Sequence, residues 1–315
     1  MLITYGSIRS DRAGVKCKLQ KKLLIVLFIL GTLLLKPQSV SAGGWRPVRG
    51  SKPYGISGIA LVRQQEDFSS FLVVHDNKLP DQGRVALLNV RGAQQPEYIP
   101  LEWPARVEMP FDLEGLTTVP GIGQPTFMAA TSSGRIYHLQ LDRNNSLSVI
   151  KIFDLPDLPA GSNLEGFALQ ELDGQLLAVY GHRGEGAEPG VIYWGVLDLA
   201  AYQLSGRGSI VLEVPWPGGP VRHLSDLKVD TAGVVFVSSA SDTEDNGPFQ
   251  SAIYVVGAFQ PGDRQIQFRK NLSLTSLYRF DFRKIEALEF LPGEVGGLIV
   301  GTDDENMGSS VFLSW

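Results

Sequence analysis

Cysteine is almost absent from this sequence: Cys17 is the only one in 315 residues. It precedes residue 42, so the chain beyond that point has no thiol. Disulfide support and thiolate-held zinc or iron–sulfur centres are thereby excluded there. No long segment keeps a 3.6-residue apolar period, so helix is predicted to be minor. Histidine is scarce, and His75, His138, His182 and His223 lack metal-ligand spacing. No G-x-S-x-G elbow occurs. Gly184-Glu185-Gly186 and Gly218-Gly219-Pro220 are turns, since no helical pattern follows them. An excess of positive charge is missing too: 28 Lys+Arg against 33 Asp+Glu give −5. That balance lacks the basic footprint of a nucleic-acid binder and suits a cationic partner or a metal ion.

A cluster of basic charge opens the sequence. Arg9, Arg12, Lys16, Lys18, Lys21 and Lys22 precede the uncharged run LLIVLFILGTLLL, residues 23–35. Pro37 follows, then the small-x-small segment Val40-Ser41-Ala42. A run of thirteen is short against the roughly 20 residues of a membrane span, and the pattern is that of a secretory signal peptide. An uncleaved anchor is the alternative. The predicted organisation is a signal peptide at 1–42 and a single domain at 43–315. The product would be periplasmic or extracellular, with no stable membrane span after cleavage. Removing residues 1–42 leaves 21 basic and 32 acidic residues, a charge of −11.

The remainder repeats. Ile56-Ser57-Gly58-Ile59, Leu113-Glu114-Gly115-Leu116, Leu164-Glu165-Gly166-Phe167, Leu224-Ser225-Asp226-Leu227 and Ile285-Glu286-Ala287-Leu288 share one pattern at intervals of 57, 51, 60 and 61 residues. Repeats of this size indicate a propeller or solenoid. Each unit reads as four strands, such as LEGLTTV, TFMAATS, RIYHLQL and LSVIKIFDL, bounded by Gly, Pro, Asn or Asp. Four strands repeated radially make a propeller blade. In unit four the last strand is QIQFRK or a later segment. Unit five ends after three strands, and an open edge would expose unpaired backbone. The predicted fold is therefore an all-β, five-bladed β-propeller whose last blade is closed by the N-terminal strand of the mature chain, Trp45 to Val48. A linear solenoid would need capping units, which the sequence lacks.

First strands line a propeller's channel, so equivalent positions form a ring: Ser57, Glu114, Glu165, Ser225 and Glu286, with Asp226 beside it. Three crowded carboxylates must be protonated, paired with cations or bridged by a metal. Their hard oxygens select Ca²⁺, or Mg²⁺, over copper or zinc. The alternative is pairing with neighbouring backbone amides. The ends of the second strands align Asp76, Ser132, Arg183, Asp242 and Asp303, leading into long polar loops. The segments before the first strands carry Arg222-His223 and Arg283-Lys284. Asp76, Asp242 and Asp303 are candidate catalytic residues. His182, Arg183, Arg222, His223 and Arg283 are candidate ligand-binding residues, suited to a phosphorylated group bridging metal and cations. Plain solvated loops are the alternative.

The order Ser, Glu, Glu, Ser, Glu, carried by Ile56-Ser57-Gly58-Ile59, Leu113-Glu114-Gly115-Leu116 and Leu164-Glu165-Gly166-Phe167, resembles the SdiA-regulated and esterase-like phytase families of exported five-bladed propellers. Units four and five depart, with Asp226 and Ala287 in place of glycine. The ring also resembles that of the calcium-activated nucleotidases (apyrases), which would make its five residues calcium ligands. The V-D-D-R-T-G segment of that family is missing, and Val74-His75-Asp76-Asn77 stands near its place.

Three functions follow as expectations. The first is an exported calcium-binding propeller recognising a small anionic or phosphorylated ligand at the channel mouth. The second is a calcium-dependent phosphoester hydrolase of phytase or nucleotidase type. The third is a non-catalytic protein-interaction propeller.

Overall fold

The five four-residue motifs begin with an apolar residue and end with one three positions later. In a regular strand those two side chains would face opposite ways. In four of the five motifs the structure resolves the conflict with a bulge. The computed structural model describes residues 38–39, 44–121, 125–262, 265–293 and 296–314. The expected cleavage site and nearly all of the expected leader lie outside the described residues.

The first described strands are β1 (Gln38–Ser39) and β2 (Trp45–Arg49). Blade one follows as β3 (Gly58–Gln65), β4 (Phe68–Val74), β5 (Val85–Arg91) and β6 (Glu97–Leu101). Blade two is β7 (Leu113–Thr118), β8 (Thr126–Thr131), β9 (Arg135–Leu141) and β10 (Leu147–Asp154). Blade three is β11 (Leu164–Leu172), β12 (Gln175–His182), β13 (Gly190–Asp198) and β14 (Gln203–Leu212). Blade four contains β15 (Val221–Val229), β16 (Val234–Ser241), β17 (Gln250–Gln260), β18 (Gln267–Lys270) and β19 (Ser276–Asp281). Blade five is β20 (Ile285–Phe290), β21 (Leu298–Thr302) and β22 (Ser309–Ser314). Its fourth strand is β2, so the N-terminal segment closes the ring as the sequence predicts. Trp45 seals that seam, with its ring 5.5 Å from Phe312 and 5.6 Å from Phe280. In blade four the long β17 pairs with β19 along its first half and with β18 along its second. Both segments left open by the sequence are thus strands, and β1 adds in parallel to β19.

The ladders skip one residue in β7, β11 and β20: Glu114, Glu165 and Glu286 fall between the paired residues on either side. In β15 the break spans Arg222 to Asp226 and so includes Ser225. The extra residue restores parity. Leu113 and Leu116 enter one apolar cluster, Leu164 and Phe167 a second, and Leu224 and Leu227 a third. Ile285 with Leu288, and Ile56 with Ile59, complete the set. Each cluster joins two neighbouring blades, and the five together close a circle of apolar interfaces. Burial there is the main favourable term holding the blades together.

The third motif residue packs against the next blade. A β-carbon on Gly115 would lie 2.7 Å from the Phe167 backbone nitrogen, and one on Gly166 would lie 2.8 Å from that of Leu227. Asp226 replaces glycine and uses the same approach differently. Its carboxylate accepts the Leu288 amide of blade five and its neighbour Leu227's, both at 2.7 Å. Gly166→Ala is expected to lower stability by about 1–3 kcal/mol through overpacking, read as a shift in the denaturant midpoint. An unchanged midpoint would contradict this account of the glycine.

Candidate functional site

A residue left out of a ladder is free to turn from the apolar face, and bulges commonly re-aim side chains in this way. All five ring positions are buried. One layer below, Lys228 crosses between blades, donating to the carbonyls of Ile59 (3.1 Å) and Leu116. Above them the loops after the second strands meet the segments before the first strands.

The structure divides the ring electrostatically. Arg222 reaches Glu286 at 2.8 Å and stands 3.8 Å from Glu165, while its Nε donates to Asp242 at 3.2 Å. Lys284 pairs with Glu286 at 3.0 Å and with Glu305. Glu305 also holds Lys52 at 2.8 Å. Burial works to lower Lys284, but Glu286, Asp303 and Glu305 outweigh it and hold the ammonium above its ordinary range. Burial would raise Glu305, yet Lys284 and Lys52 bring it down to about 2. Glu165 is pushed up to about 7 by burial and Glu286, against Arg222 and Arg183.

Glu114 has a different environment. It is 8% exposed and makes no hydrogen bond or ion pair among the described residues. Burial, then Glu165, Asp76 and Glu286, hold its carboxyl well above the usual range. Its oxygens gather with those of Asp76 and Asp112, one from each lying within 4.8 Å of the others. Asp76 is raised to about 6 by burial, with Glu286 and Asp112 adding to it. Asp112 is fixed by the Ser132 hydroxyl at 2.6 Å and pairs with Lys78 at 2.9 Å. Ser57 Oγ, Ser225 Oγ and Glu165 Oε2 are buried without hydrogen-bond partners. Hard, under-paired oxygens of this kind could hold a divalent cation of the calcium class, and none of them suits a soft metal.

The other predicted residues are placed as follows. Asp242 accepts from Arg222. Asp303 is buried beside Gly55, where a β-carbon would strike its carboxylate, and it accepts the Glu305 amide at 3.0 Å. Arg183 pairs with Glu185 at 2.8 Å and with Glu165 at 3.5 Å. Arg283 lies 3.4 Å from Asp304 and over the Trp45 ring. His182 Nδ1 accepts the Asn163 amide, with Nε2 3.5 Å from Glu188. His223 uses both nitrogens internally, accepting from Val214 and donating to Gly186. These five basic residues are tied to protein groups, so what they offer a ligand is limited by those ties.

Sequence reasoning missed Asp112, Lys78 and Glu305, and named Lys284 only as a cation at the mouth, without its carboxylate partners. A signal existed for Asp112 and Lys284. Gly55, Asp112, Asn163, His223 and Lys284 all stand two residues before a ring position and form a second tier.

Solved structures share the architecture. An endo-arabinanase of the GH43 class from Bacillus licheniformis matches with TM-score 0.50 and 11% identity, covering 85% of this chain and 96% of that one. An α-L-arabinofuranosidase from Clostridium thermocellum matches at 0.49 and 9%, covering 77% and 80%. Another from Lactobacillus brevis gives 0.48 and 10%, covering 83% and 91%. At these identities the likeness shows the five-bladed fold alone. No family model matches the chain, and no curated protein matches it. Among the described residues no helix is long and apolar enough to cross a membrane.

The two halves of the ring should respond oppositely to neutralisation. In metal-free buffer near neutral pH, Glu114→Gln is expected to stabilise by about 1 kcal/mol, because it removes a buried, unpaired carboxyl. Folded Glu114 keeps a proton that the unfolded chain releases, so this gain should grow as pH rises above the ordinary carboxylate range. Glu286→Gln is expected to destabilise by about 1–3 kcal/mol, because Arg222 and Lys284 lose their shared partner. Calorimetric melting in chelator measures both, and shifts of the same sign would contradict the division.

Proposed function

We propose that the protein is an exported propeller that binds a divalent cation of the calcium class at its channel mouth and, through it, a small anionic or phosphorylated ligand. Glu114 carries this reading: a buried carboxyl without a partner, grouped with Asp76 and Asp112, is where a cation would be most strongly held. The basic leader and the resemblance of the inner-strand motifs to exported phytase-like propellers support it. When bound, the cation would polarise a phosphoryl oxygen. Glu165, raised to about 7, is partly protonated near neutral pH and can donate that proton to a leaving oxygen. Asp242, held at the mouth by Arg222, would accept a proton from the attacking water.

A second reading uses the same acid and base on a glycosidic bond, where paired carboxylates of separated acidity are required. One observation favours it. Arg183, Arg222 and Arg283 are already matched to Glu185, Glu286, Asp242 and Asp304, so the mouth stays acidic and a neutral sugar enters without repulsion. The fold neighbour from Bacillus licheniformis is, by its name, an arabinanase.

Phosphate release from phosphomonoesters, nucleotides and inositol phosphates, and reducing ends from arabinan and galactan, separate the two. Where the bound ligand is also hydrolysed, the first reading expects phosphate release that needs calcium, falls about 100-fold or more in Glu165→Gln, and declines as pH rises through about 7, where Glu165 loses its proton. Sugar release without phosphate release would replace it with the second. Calcium binding with neither product would leave a binding propeller.

A further inference from the structure

The mouth holds one ammonium whose attachments differ from all the others. Lys284 is buried between two carboxylates, and Lys52 bridges Glu305 and Asp245. Lys78 has a single carboxylate partner, Asp112, at 2.9 Å, and its side chain is 52% exposed. It also stands over the face of Phe111, 5.9 Å from the ring centre.

The groups around it are fixed. Asp112 sits at φ 64° and is held by the Ser132 hydroxyl and by backbone bonds to Asn77 and Ser132. The Asn77 amide donates to Pro53 at 2.9 Å and Gly83 at 2.7 Å. Arg84, buried at the end of the same loop, donates to the carbonyls of Pro110, Gln82 and Leu79 at 2.6, 2.7 and 3.1 Å. Those bonds tie the loop that follows Asp76 to the segment that carries Asp112. The backbone that carries the three carboxylates is therefore held in place, and the lysine beside them is tethered by a flexible stem.

The geometry points to a place-holding role: Asp76, Asp112 and Glu114 form a divalent-cation site, and the Lys78 ammonium is its built-in competitor, displaced towards solvent when a cation enters. This rests on the cation-binding reading above and adds the regulation of that site. Oxygens sharing one calcium at 2.3–2.6 Å stand no more than about 5 Å apart, and these three lie within 4.8 Å of one another. The independent pointer is Glu114, more than nine-tenths buried, partnerless and set among those oxygens. Three carboxylates exceed the charge of one ammonium, so a divalent ion matches the site better than Lys78 does. Displacement breaks one half-exposed ion pair, a weak interaction in water. The competitor would set calcium affinity without closing the site.

Calorimetric titration of calcium into the metal-free protein tests this. Wild type is expected to bind, Lys78→Met to bind roughly fivefold tighter, and Asp112→Asn to bind much more weakly. Lys52→Met removes the same charge from the same face and should change affinity by less than about twofold. Lys78→Met binding no tighter than wild type, or an equal gain from Lys52→Met, would overturn the competitor while leaving the cation site standing. No binding by wild type, Lys78→Met and Lys52→Met alike would overturn both.

Discussion

The bulge at the second motif residue is the constraint on which the rest of the molecule depends. A propeller needs each inner strand to bury apolar side chains against its neighbours. The same strand must also present a polar residue to the channel. One extra residue in the ladder does both, keeping Leu113 and Leu116 in one core while leaving Glu114 outside the pairing. Repetition in β11 and β20 brings acidic residues from distant parts of the sequence to one level. The apolar circle is what makes such crowding tolerable, because burial around it stabilises the blades independently of the charges.

Crowded carboxylates then sort themselves by what lies beside them. Glu286 is matched by Arg222 and Lys284, and Glu165 shares Arg222 and Arg183. Glu114 has no such neighbour and joins Asp76 and Asp112 instead. One side of the mouth is thus a closed ion-pair network, and the other is an acidic cluster with a single exposed lysine in attendance. Networks of the first kind stabilise a fold when their desolvation is repaid by several partners. Clusters of the second kind are ready to receive positive charge.

Blade number and ring closure were legible because they follow from period and from an unpaired edge. The five motifs marked the inner strands, and the three-strand last unit called for Trp45 to Val48 to complete it, where the structure has Trp45–Arg49. The bulge was legible in principle, since apolar residues three apart cannot otherwise share a face of a strand. The pairing of Arg222 with Glu286, 64 residues away, was not. Neither was the role of Asp112, whose segment is drawn to the Asp76 loop by Arg84, which donates to Pro110, and by its own amide, which donates to Asn77. Spacing fixes which residues reach the mouth. It does not fix which cation faces which carboxylate, because long side chains choose among several partners once blades are assembled.

Crystals of the protein soaked in a calcium substitute with strong anomalous scattering, such as a lanthanide, give the most direct measurement. The account expects one dominant anomalous peak, bounded by the carboxylates of Asp76, Asp112 and Glu114 between blades one and two. A mouth free of anomalous density, with peaks confined to the outer edges of the blades, would contradict it.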